Sequence, residues 1–71
     1  MALSEEEGDI VMLSAKRIAL RIVSSANEVL LRDWQKMSAV MFAEMSREWP
    51  DFDASALRRI GDTALSEKLH P

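Results

Sequence analysis

From Glu5 to Trp49 the chain contains no proline, and its only glycine there, Gly8, sits near the start. Few folds tolerate so long a stretch without a backbone breaker, and the apolar residues say which one applies. Met12, Val23, Trp34 and Met45 recur every eleven residues, as do Ala19, Leu30 and Met41, Ala15, Ala26 and Met37, Ile18, Val29 and Val40, and Leu20, Leu31 and Phe42. Eleven residues fill almost three α-helical turns, so each row runs nearly straight along a helix. Alternation of period two, the mark of a half-buried strand, is absent. Ser14, Arg17, Arg21, Glu28 and Arg32 fall on the opposite side.

A single helix over this span would be about 66 Å long and could not bury its own apolar stripe. Ser24-Ser25-Ala26-Asn27 is its weakest point, because Ser and Asn compete for backbone hydrogen bonds. Ser25 with Glu28 fits a capping box that would start a second helix there. The rows keep phase across these residues, which favours a continuous helix, bent at most at Ser24–Asn27. From Asn27 onward the apolar face rotates toward Leu30, Trp34, Met37, Met41 and Met45.

Trp49-Pro50 ends this segment, since the residue before proline is pushed out of the α region. Asp51-Phe52-Asp53 forms the turn, with Trp49 and Phe52 at its corner and Asp53 as cap of a returning helix over 54–69. Leu57, Ile60, Ala64, Leu65 and Leu69 recur there at helical spacing. Gly61 either divides this helix or permits close approach of a neighbour. At the other end, Ser4 and Glu7 form a capping box, and the acidic residues that follow Ser4 suit the helix dipole.

The expected fold is all-α: a long N-terminal helix and a shorter returning C-terminal helix, in one small helical domain over residues 1–71. Seventy-one residues without cysteine offer neither a disulfide nor a thiolate metal site as a staple, while 48% of the residues are hydrophobic. That combination favours a helical-bundle homodimer; a broken helix would instead allow a monomeric three-helix bundle. The expected core is Met12, Ala15, Ala19, Val23, Ala26, Leu30, Trp34, Met37, Met41 and Met45, with Leu57, Ile60 and Leu65 packing across. The methionine stripe reads as core before it reads as an adaptable groove.

Net charge is −3, which attracts neither nucleic acid phosphate nor anionic lipid. No apolar run is long enough to span a membrane, and the acidic start is unlike a signal peptide, so a cytoplasmic location is expected. Glu28 with Arg32 and Asp33 with Lys36 fit helical ion pairs. Lys16, Arg17 and Arg21 read as a solvated basic face.

Motifs for chemistry fail on inspection. Asp51, Asp53, Ser55 and Asp62 mimic calcium-loop spacing, but Ala56 replaces the required glycine and Arg58 and Arg59 bring positive charge. His70 is the only histidine, and no phosphate-binding glycine loop exists. Neither an enzyme nor a cofactor or metal site is expected. The best functional class is a small intracellular protein–protein interaction module (an adaptor, chaperone-like factor or regulatory subunit) acting through helix–helix contact. Leu13, Leu20, Leu31 and Phe42 lie off the main apolar face and form its candidate docking strip. The alternative is a nucleic-acid-associated regulator, with a helix-turn-helix around Gly61 and Arg58, Arg59 and Lys68 as phosphate contacts.

Overall fold

A computed structural model of the chain describes residues 5–70, with side chains from Glu7 onward. The Ser4–Glu7 capping box lies outside the described residues. Four helices follow in order: α1 (Glu5–Ser25), α2 (Glu28–Leu31), α3 (Trp34–Glu48) and α4 (Ala54–Leu69). No strand occurs among the described residues.

The long helix is not continuous. Asn27 leaves helical geometry at φ −81° and ψ 173°, and its side-chain carbonyl accepts the Leu30 N–H at 2.8 Å. Asp33 repeats the device, accepting the Lys36 N–H at 3.2 Å and starting α3. Asn27 rather than Ser25 is therefore the cap. The Asp33 carboxylate also lies 4.0 Å from the Lys36 ammonium, as its spacing predicts. Glu28 and Arg32 make no ion pair, because α2 ends before Arg32 completes its turn. Replacing Asn27 or Asp33 by alanine should cost about 1 kcal/mol each, the usual value of an N-cap, read as a fall in urea midpoint at constant slope.

The physical reason for the break lies in what it covers. Folding back sets α3 antiparallel to α1: Arg17 meets Glu48, Arg21 reaches Glu44 at 2.9 Å, and the Trp49 indole N–H donates to Ser14 Oγ at 3.1 Å. α4 then runs antiparallel to α3, with the Ser38 hydroxyl donating to Asp62 at 2.6 Å and the Arg58 guanidinium 4.4 Å from the Phe42 ring centre. The stripe Val11, Ala15, Ile18, Ala19 and Ile22 of α1 faces Met37, Met41 and Met45 of α3 and Leu57, Ala64 and Leu65 of α4. One chain thus closes a three-helix core, with α2 as a short bridge. The radius of gyration is 11.9 Å, close to the roughly 11 Å expected for a compact chain of this length.

Met37, Met41 and Met45 are fully buried, so they are core and not a groove. Trp34, expected inside, is 41% exposed, because α3 starts there at the end of the bundle. Met12, Val23, Ala26, Leu30 and Ile60 are only partly buried at the core's margin. Val11, Ile18 and Ile22 take the central places on α1 instead. Ser14 is buried rather than solvated, held by the Trp49 indole.

The corner forms as expected. Trp49 and Phe52 pack edge to face with ring centres 6.4 Å apart, and Asp53 accepts the Ala56 N–H at 2.9 Å. α4 runs unbroken through Gly61, whose role is close approach: a Cβ there would lie 3.2 Å from Met41 Cγ and 3.5 Å from Met45 Cγ.

Candidate functional site

The four residues of the candidate docking strip do not form one surface. Leu13 and Leu20 are well exposed on α1, at 67% and 54%. Leu31 and Phe42 are half-buried against the core. The chain reversal explains the correction: it puts Leu31 on α2 and Phe42 on α3 beneath Arg58, while Leu13 and Leu20 stay on the outer side of α1. Ile10, half exposed, joins them at i, i+3 and i+10. Its spacing from Leu13 was visible in the sequence, but no row of period eleven contains it. Arg17 lies between Leu13 and Leu20 and is engaged by Glu48, so the stripe is flanked by a seam of ion pairs between α1 and α3. Arg17 and Arg21 therefore belong to that seam.

Two apolar clefts sit at opposite ends of a bundle whose longest dimension is 40 Å. The first lies between the start of α1 and the α3–α4 corner. Ile10, Val11, Trp49, Pro50 and Phe52 wall it, and its charged lining is entirely acidic: Glu7, Glu48, Asp51 and Asp53. The second lies where α1 and α4 end and α3 begins. Val23, Leu31, Trp34 and Leu69 wall it, and its polar lining is Arg32, Lys68 and His70. Sequence reading missed both, since each joins residues far apart in the chain.

The phosphate-contact residues are not brought together. Arg58, Arg59 and Lys68 are all exposed on α4, but Arg58 stacks on Phe42, and nine residues separate Arg59 from Lys68. Nine residues at 100° each put those two on opposite sides of the helix. The helix-turn-helix of the nucleic-acid alternative does not form around Gly61, because α4 is one helix. Asp51, Asp53, Ser55 and Asp62 do not converge: Asp53 caps α4, while Asp62 lies along that helix and binds Ser38. Among the described residues no group of three or more His, Cys, Asp or Glu could hold a metal ion. His70 terminates α4, its N–H donating to the Ser66 carbonyl at 2.9 Å. No helix of the described residues is long and apolar enough to cross a membrane.

The outer stripe of α1 and the two end clefts are apolar surfaces that the fold leaves exposed. No family model matches the chain, and no curated protein or solved structure shows significant similarity to it.

Proposed function

We propose that the chain is a small protein–protein interaction module of the cytoplasm, an adaptor or regulatory subunit, that pairs through the outer face of α1 with a second copy of itself. One observation carries this reading: Ile10, Leu13 and Leu20 expose about half or more of their surface on a single side of one helix. The core is already closed within the chain, so the exposed parts of these side chains are left uncovered, and clustered exposed apolar groups are what helix-on-helix contact uses. A two-fold axis across α1 would set Leu13 and Leu20 of one copy against the same residues of the other, with Arg17, which lies between them, held by Glu48 of its own chain.

Sedimentation equilibrium tests it. At high salt the wild-type chain should give twice its 8.0 kDa mass, and Leu13→Glu with Leu20→Glu should return it to one chain mass with unchanged far-ultraviolet circular dichroism. Both positions are exposed, so the substitutions should leave the bundle folded. A wild-type chain that stays at 8.0 kDa over the whole accessible concentration range overturns the homodimer. Loss of helicity in the double variant would show that these residues hold the fold rather than a partner.

A further inference from the structure

We infer that copies of this chain also associate head to tail, the cation-lined end of one seating on the carboxylate-lined end of the next. Both ends are apolar at the centre and charged at the edge, which is the anatomy of an association surface. Their charged linings have opposite sign: Asp51 flanks Trp49 and Phe52 at one end, where Glu48 is already engaged by Arg17, and Arg32 and Lys68 flank Trp34 and Leu69 at the other. Among the described residues Asp51 has no ion pair, so its charge is available to a partner. Asp33, close to the second cleft, is engaged by Lys36, while Glu28 and Glu67 lie outside its lining.

A second copy fits either end better than a symmetric end-to-end pairing does. Two-fold contact at an end would bring Asp51 toward Asp51, or Arg32 toward Arg32, and like charges across an interface suppress that pairing. Head-to-tail contact matches sign with sign. The exposed edge of Trp34 and the aliphatic stems of Arg32 and Lys68 can enter the acidic cleft while their charges reach its rim. A contact of this kind does not close on itself. It leaves a free end of each type, so association continues into open chains or a ring.

This inference shares only Ile10 with pairing through α1 and uses neither Leu13 nor Leu20, so variants at those two leucines separate the two contacts. Sedimentation velocity at low and high salt on full-length variants tests it. The wild-type chain at low salt should show an average mass that keeps rising with concentration beyond two copies, and added salt should reverse the rise. Asp51→Lys alone, and Arg32→Glu with Lys68→Glu, should each weaken end-to-end growth about tenfold or more. An equimolar mixture of these two variants should recover it, and so should one chain carrying all three substitutions. Recovery separates charge matching from misfolding, which no mixture would repair. Growth that stops at two copies at every salt concentration overturns the inference, as do end variants that associate like wild type. A dimer that survives the end reversals but falls to Leu13→Glu with Leu20→Glu removes head-to-tail contact and leaves pairing through α1 intact.

Discussion

Met41→Ala should cost about 3 kcal/mol and lower the melting temperature by roughly 10–25 °C. Met41 has no solvent exposure and packs against Gly61 of α4. Truncating a fully buried methionine removes apolar contacts and leaves a cavity, at a typical cost of about 2–5 kcal/mol. A domain of this size has roughly 4–10 kcal/mol of stability in all, so the variant should sit near its unfolding threshold. The geometry adds a sharper test through Gly61. In the wild-type chain Gly61→Ala gains about 1 kcal/mol of helix propensity but sets a methyl 3.2 Å from Met41 Cγ, so Met41 must shift and part of the gain is lost. With Met41 already alanine, the methyl enters space the thioether has left. Gly61→Ala should therefore stabilise the Met41→Ala background by about 1 kcal/mol more than it stabilises wild type. Urea unfolding of the four proteins in this cycle measures the difference. Additivity within about 0.5 kcal/mol would mean that the two residues do not share the space.

The same residues show which parts of the fold could be read in advance. Pro50 and Asp53 announce the α3–α4 corner chemically: one cannot continue a helix and the other caps the next, so that turn was legible. The break at Asn27 was not. Rows of period eleven keep their phase whether a helix runs on or folds back after a short bridge, because both halves share the same pitch. Phase therefore argued for continuity where cap chemistry decided otherwise, and Asn27 and Asp33 both carry side chains that satisfy an amide three residues on. Once the chain reverses, Val29 and Trp34 leave the stripe they occupied in the rows and become exposed, while Val11, Ile18 and Ile22 become central. The surfaces follow the same logic. Leu13 and Leu20 were readable as outward-facing because α1 alone sets their direction. Leu31 and Phe42 were not, because their surroundings depend on the reversal. Each end cleft joins residues from the two halves of the chain, and helical periodicity along one segment contains no information about that.

Trp49→Ala should be the other severe substitution, costing about 3 kcal/mol or more and loosening α1 from the corner. Trp49 connects three parts of the structure at once. Its ring packs edge to face on Phe52, its backbone N–H donates to the Met45 carbonyl at 2.8 Å to close α3, and its indole N–H reaches Ser14 on α1 at 3.1 Å. The alanine variant keeps only the backbone bond. Trp49→Phe isolates the indole hydrogen bond, since a ring remains to pack while the donor is gone. That change should cost about 1–2 kcal/mol, because the buried Ser14 hydroxyl loses its donor and the smaller ring leaves a gap. Ser14→Ala in the Trp49→Phe background should add little, because no indole donor remains to be left unsatisfied. In the wild-type background the same substitution strands the indole N–H and should cost about 1 kcal/mol or more. The pair should therefore couple by about 1 kcal/mol in thermal or urea unfolding. Fluorescence of a Trp34→Phe protein, in which Trp49 is the only emitter, should shift to the red on Ser14→Ala if the ring is released toward solvent. Unchanged emission together with additive stabilities would show that α1 is held to the corner by apolar packing alone.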